Sequence, residues 1–459
     1  HGHVFVGANV PFGMVQVGPT SIPQSWDWVS GYHDSDSTVV GFSHTHLSGT
    51  GIGDLFDVTV MPVVGEVTYA RGEEKDPQSG LWSYADRTKE AVRPGYYSVP
   101  LVRYDITAEM TATERVGLHR YTFPAAEDAA VVFDLENGGC WDKATETHLE
   151  QEGDTRITGW RYSTGWAKDQ RVYFVAEFSK PFAKFETVGE RYARASFSTN
   201  DGEQVLVKVA LSPVSVEGAE ANLAAELPGW DFEATVQAAD AKWNAELSKV
   251  KITTTDQTAR RIFYTALYHT MVAPSVFCDV NGDYYGSDHA IHRAADFTNY
   301  TTFSLWDTYR AAMPLMTVLH PEKMADIVQT MLHIADEQGR LPVWHLWGNE
   351  TDCMVGNPGI PVVADAIVKG IEGFDREKAF EAIKKTAMNP DRGNGLRMRY
   401  GYIPCDLFNE AVAYDMEYAL ADGAAARAAE ALGRTEDAAY FTERSRSYRN
   451  YFDPATRFM

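Results

Sequence analysis

The chain has 459 residues, a length that argues for two or three domains rather than one. Lys plus Arg number 41 and Asp plus Glu 64, a formal net charge of −23. That balance excludes the usual nucleic-acid binder, which needs a basic face for backbone phosphates. No stretch of about 18 uncharged apolar residues exists, so no segment reads as a membrane-spanning helix. The 11 Trp, 23 Tyr and 22 Phe point instead to clefts that stack flat apolar ligand faces, those of sugars included.

Residues 1 to about 235 carry short alternating or β-branched runs separated by Gly, Pro, Asp and Asn. Ala130–Phe133, Arg171–Val175 and Val205–Val209 are examples, and such runs predict the antiparallel strands of a sandwich. Within this half, Trp26-Asp27-Trp28 precedes Gly31-Tyr32-His33 in a polar, turn-rich segment where one ring could face a ligand. His44-Thr45-His46 resembles a metal pair but has no third ligand at a recognisable spacing, which favours hydrogen-bonded histidines. Gly49-Thr50-Gly51-Ile52-Gly53-Asp54 is not a dinucleotide fingerprint, because its spacing is wrong and no βαβ unit surrounds it. A turn is expected there.

After residue 235 the period changes to helical. Ala238–Val250 reads as a linker helix and Ala259–Val272 as the first helix of a second domain. Pro321 then opens a helix whose apolar residues recur every three or four positions, and Gly339 closes it. Further helical stretches are predicted near Pro361–Ile371, Arg376–Met388, Asn409–Leu432 and Glu436–Tyr451. The fold expected is therefore an N-terminal antiparallel β-sandwich (1–235), a helical linker (236–255) and a partial (α/α)6 barrel (256–459). A complete barrel needs twelve helices, about twice what this length supplies. The chain also opens without Met, so it is expected to be a fragment. The four cysteines are scattered without a CxxC pair and read as free thiols.

Three stretches of the second half carry candidate chemistry. Trp306-Asp307-Thr308-Tyr309-Arg310 places Asp307 and Arg310 on one helical face, where the arginine could hold the carboxylate ionised for substrate hydroxyls. In Gly348-Asn349-Glu350-Thr351-Asp352, a glutamate among aromatic residues can be desolvated and kept protonated, as a general acid for glycosidic cleavage must be. Asn409-Glu410 and Glu417-Tyr418 lie seven residues apart on one predicted helix, and Glu417 among apolar neighbours needs a partner.

These stretches together resemble glycoside hydrolase family 92, the calcium-dependent exo-acting α-mannosidases. The resemblance is carried, in order, by Gly2–Gly7 with Pro11-Phe12-Gly13-Met14, Gly31-Tyr32 and Gly41–Gly49. It continues through Phe303–Arg310, Gly348–Met354, Asp365-Ala366 with Lys369-Gly370, and Met416-Glu417-Tyr418-Ala419. It implies an inverting mechanism with a bound Ca²⁺ that contacts two mannose hydroxyls and favours the flattened ring. By motif, Glu350 would be the general acid. Trp26 or Trp28 would stack in the leaving-sugar subsite, Trp306 with Asp307 and Asn349 would line the mannose site, and Asn409 with Glu410 would meet the leaving sugar. Where the family's α-1,2-specific members have a His-Glu pair, this sequence has Asn409-Glu410. No motif in 1–459 supplies the catalytic base, expected C-terminal to this range. The resemblance implies a secreted or periplasmic enzyme acting on α-mannoside glycans, N-glycans or mannans. Another (α/α)6 glycosidase or phosphorylase, or a non-catalytic carbohydrate-binding relative, are the alternatives.

Overall fold

The computed structural model describes residues 3–23, 28–76 and 78–459, and forms two compact units, His1–Tyr284 and Tyr285–Met459. The first unit holds two antiparallel sheets. One has six strands, in the order Gly18–Thr20, Gly41–Ser43, Thr59–Val64, Ala126–Asp134, Tyr192–Thr199 and Lys184–Val188. The other has eight, running from Lys143–Glu152 through Arg156–Thr164, Gln170–Phe178, Glu203–Ser212, Val116–Phe123, Ile106–Ala112 and Tyr96–Leu101 to Ala91–Arg93. Apolar side chains alternate along the strands, so one face of each sheet meets the other. Phe133 stacks on Phe174 at 6.0 Å and Phe123 meets Phe197 edge-on at 5.5 Å, each pair joining the two sheets.

The strand texture ends earlier than 235. The last sandwich strand stops at Ser212, and helix α1 (Val216–Glu226) follows, capped by the Ser215 hydroxyl, which accepts from Gly218 N–H. Its Ala-rich sequence carries little periodic signal, which is why the sequence does not announce it. Its Ala219 and Leu223 pack with Phe232 and Val236 of α2 (Phe232–Leu247) over Val116, Leu118, Val175 and Ala210 of the eight-stranded sheet. The expected linker is thus a packed helix: Trp243 is buried and donates its indole N–H to Asn9 O at 2.7 Å. Helix α3 (Gln257–His269) completes this unit and is capped by Asp256, which accepts from Thr258 and Ala259 N–H.

The second unit is helical: α4 (Leu305–Thr308), α5 (Ala312–Leu319), α6 (Pro321–Gln338), α7 (Gly359–Val368), α8 (Arg376–Ala387), α9 (Asn394–Tyr400), α10 (Ala411–Ala431) and α11 (Thr435–Arg444). Pro321 occupies the first turn of α6 and Gly339 ends it in the left-handed conformation, as its sequence predicts. Helix α10 packs on α7, α8 and α11. Its alanines let these neighbours approach closely. The buried Arg397 of α9 ties the group together, donating to Asp415 at 2.6 Å, Asp422 at 2.5 Å and Arg444 O at 2.7 Å. A small sheet joins Phe303–Ser304, just before α4, to Trp344–Leu346 and Asn349–Glu350, which lie between α6 and α7.

Candidate active site

This three-stranded sheet assembles the chemistry. Phe303 pairs with His345 on one side, and His345 pairs with Glu350 on the other. Ser304 leads directly into α4, so the register brings the Trp306–Arg310 segment and the Glu350 loop to one sheet. The connecting turn is Trp347-Gly348, both at positive φ (47° and 75°), and a Cβ on Gly348 would lie 2.5 Å from the Tyr285 ring.

Glu350 has a side chain 10% exposed. Its Oε1 accepts from Trp344 N–H at 2.9 Å and Asp352 N–H at 3.0 Å. Its Oε2 accepts from Val343 N–H at 2.8 Å and the Gln338 amide at 3.3 Å, with Arg340 Nη1 at 4.0 Å. The surroundings are dry but polar, rather than the aromatic sleeve the sequence suggests. Asn349 is buried and donates from Nδ2 to Trp347 O at 2.8 Å.

Arg340 also pairs with Asp352, which Arg392 approaches at 3.6 Å. Arg392 straps the loop by donating to Gly356 O at 2.7 Å and Met354 O at 2.5 Å, and its own carbonyl accepts from Tyr418 O–H at 2.9 Å. Cys353 sits between these groups. Burial pushes its thiol pKa up, and the charges of Asp307 and Glu350 add to that.

The partner of Arg310 corrects an expectation. The hydrogen-bonded carboxylate is Glu417, with Asp307 acting only through space: Arg310 Nη2 donates to Glu417 Oε1 at 2.6 Å, and Tyr309 O–H donates to Glu417 Oε2 at 2.7 Å. Asp307 is exposed and accepts from Ser304 Oγ at 2.6 Å. The guanidinium of Arg310 lies 4.7 Å over both the Trp306 and Tyr309 rings. Trp306 is half-buried, and its indole N–H has no acceptor among the described residues. Glu417, a carboxylate in need of a partner by sequence, thus has two from 107 and 108 residues away.

Asn409 and Glu410 are exposed at the start of α10, Glu410 in the left-handed conformation (φ 54°). Trp26 lies outside the described residues. Trp28 belongs to the sandwich unit and is only 3% exposed, edge-on to Phe56 at 5.3 Å with Arg71 5.9 Å over its ring. Its faces are taken by packing, so it is not the open stacking platform the turn-rich sequence suggests. Arg340, Arg392, Gln338 and Tyr309 escaped the sequence reading, since each acts on a group distant in the chain or across a turn.

The histidine pair of the sandwich is hydrogen-bonded. His44 Nδ1–H donates to Val58 O at 2.6 Å and His46 Nδ1–H to Gln16 O at 2.7 Å. Among the described residues no three His, Cys, Asp or Glu side chains converge enough to hold a metal. Around Glu350 the carboxylates are already engaged by Arg340, Arg310, Ser304 and backbone amides. These side chains alone do not fit a calcium ion, and no chemical step is derived through one.

Comparison with known proteins agrees with this architecture. Residues 1–212 match the glycosyl hydrolase family 92 N-terminal domain and residues 218–459 the family 92 catalytic domain. A family GH92 alpha-mannosidase of Bacteroides thetaiotaomicron, also solved with mannoimidazole, is 38% identical with a TM-score of 0.96, over 100% of this chain and 65% of its own. The family GH92 inverting mannosidase of Bacteroides thetaiotaomicron VPI-5482 is 28% identical with a TM-score of 0.89, over 100% of this chain and 64% of its own. An uncharacterized secreted glycosidase of Arthroderma benhamiae is 25% identical over 98% of this chain and 60% of its length. The chain therefore spans roughly three fifths to two thirds of these relatives. With both family domains matched in order across almost all its residues, the chain belongs to glycosyl hydrolase family 92.

Proposed function

We propose that this chain is the sandwich and catalytic-domain portion of an exo-acting, inverting α-mannosidase that removes mannose from N-glycans or mannans outside the cytoplasm. The observation that carries the reading is Glu350: a carboxyl group fixed by backbone amides, shielded from water, and joined by one small sheet to the Trp306–Arg310 segment. Its likeness to a GH92 alpha-mannosidase and a GH92 inverting mannosidase of known structure supports the substrate class.

In this reading Glu350 gives its proton to the departing glycosidic oxygen. Both lone-pair directions of Oε1 are taken by amide donors, whereas Oε2 has one amide at 2.8 Å and only the longer 3.3 Å contact from Gln338. Once the proton leaves, the same donors and the Arg340 cation hold the carboxylate, so the site needs no rearrangement. The half-buried Trp306 offers a ring, which suits a sugar's CH face. Asp307 and Asn349 supply further hydroxyl partners, and Asn409 with Glu410 those of the leaving sugar. A general base activates water on the opposite face of the ring, roughly 6.5–9.5 Å from the acid in an inverting enzyme. No residue of this chain is assigned that role. Calcium belongs to the proposal through the family resemblance alone; when bound it would polarise vicinal hydroxyls.

The test is proton NMR of the products formed by the full-length protein from a natural α-mannobiose. Single mannose units appearing first as the β anomer support an exo-acting inverting enzyme. The α anomer first, larger fragments, or a strict need for phosphate with release of a sugar phosphate defeat it. In the same assay, EDTA is expected to abolish turnover and added Ca²⁺ to restore it. Full turnover in EDTA removes calcium from the proposal.

A further inference from the structure

Helix α4 is a single turn, Leu305–Thr308, and the Ser304 side chain accepts no capping bond at its start. One uncapped turn does not hold its own direction, because fixing its backbone costs more than its few hydrogen bonds offset. The Trp306 and Asp307 side chains that it carries are therefore aimed by contacts from outside the turn.

Those contacts converge on Glu417 of α10. Arg310, just past the turn, donates from Nη2 to Glu417 Oε1 at 2.6 Å and from Nε to Trp306 O at 3.1 Å. Tyr309 O–H donates to Glu417 Oε2 at 2.7 Å, so both oxygens of one carboxylate hold the segment. The same tether keeps the Arg310 guanidinium 4.7 Å over the Trp306 ring. Glu417 is itself fixed. Its side chain is 17% exposed, and a Cβ on Gly356 would lie 2.4 Å from its own Cβ.

The pair also decides where the cation goes. Asp307 and Arg310 stand three apart, the spacing of a helical ion pair, yet Asp307 reaches Arg310 only through space. Among the described residues, the one hydrogen bond to the exposed Asp307 carboxylate comes from Ser304 Oγ, at 2.6 Å to Oδ2. Glu417 thus draws the arginine away and leaves Asp307 Oδ1 to a ligand hydroxyl.

We propose that Glu417 is a positioning residue of the mannose site: through Arg310 and Tyr309 it fixes the Trp306 ring and keeps Asp307 open to sugar hydroxyls, without touching the sugar itself. The inference rests on the mannosidase reading, in which Trp306 and Asp307 line that site.

Steady-state kinetics of the full-length protein on an aryl α-mannoside, with free mannose as competitive inhibitor, tests it. Glu417→Gln keeps the shape and the Tyr309 hydrogen bond but loses the ion pair. It should raise KM and the mannose inhibition constant about tenfold, with kcat within about threefold of wild type. Arg310→Met should do the same, and the double variant no more than either alone, because both act through one pair. Should Glu417→Gln fail to melt cooperatively, Arg310→Met decides, since that side chain is 43% exposed. Mannose inhibition unchanged in the single variants, a fall in kcat alone, or losses that multiply in the double variant overturn the proposal. Asp307→Asn separates this failure from that of the reading beneath it. If Asp307→Asn weakens mannose inhibition and Glu417→Gln does not, only the positioning role falls; if neither does, the assigned mannose site falls with it.

Discussion

The chain treats its buried ionisable side chains in two ways. Glu350 and Glu417 are met by arginines and hydrogen-bond donors, whereas the sandwich histidines are held neutral. His44 Nδ1–H donates to Val58 O, so its Nε2 must accept from His119 Nε2–H at 2.9 Å, and His119 Nδ1 then accepts from Tyr121 O–H at 2.9 Å. A proton added to His44 would set two N–H groups against each other. Burial accordingly lowers the His44 pKa to about 4. For a histidine depressed in the fold, the contribution to stability is whole above the unfolded pKa near 6.5 and is lost as pH falls. His44 should thus lose about 1.4 kcal/mol per pH unit below 6.5, or roughly 3 kcal/mol by pH 4. Urea unfolding at pH 7 and pH 4.5 checks this: His44→Phe is expected to lose less stability on acidification than wild type. An identical loss in both proteins contradicts the assigned proton chain.

Among elements, the strap between the Glu350 loop and α10 is the most exposed to a single change. Gly356 has φ 81°, and a Cβ there would lie 2.4 Å from Glu417 Cβ. Gly370 has φ 71° but nothing within 4 Å. Gly370→Ala carries only the left-handed penalty, about 1–2 kcal/mol. Gly356→Ala adds a backbone-level clash and should cost about 2 kcal/mol more, measured by denaturant midpoints. Equal losses would mean that the loop shifts freely from α10.

The elements were also the most legible part of the sequence. Ala130–Phe133, Arg171–Val175 and Val205–Val209 all fall within sandwich strands, because period-two burial between sheets writes itself into the chain. Helices α1 and α9 did not stand out, the first being too rich in alanine to show a face and the second only seven residues between Gly393 and Gly401. The site was half legible. Glu350 is marked by its local motif, but the Arg310–Glu417 pair is not, since local spacing offered Asp307 as the nearer partner. Likewise Trp28 looks ligand-facing by its polar neighbours, and only the packing of Phe56 and Arg71 shows otherwise.

For the whole molecule, the match of both family domains fixes what kind of protein this is, while the geometry names the side chain on which its proposed chemistry turns. The most direct measurement compares wild type and Glu350→Gln in the full-length protein, on an α-mannobiose and on an aryl α-mannoside with an activated leaving group. A lost proton donor should lower kcat/KM on the disaccharide by about 10²–10⁴, and far less on the aryl mannoside, whose leaving group needs little protonation. The far-ultraviolet circular dichroism should be unchanged. Equal, small losses on both substrates would contradict the assignment of Glu350 as the acid.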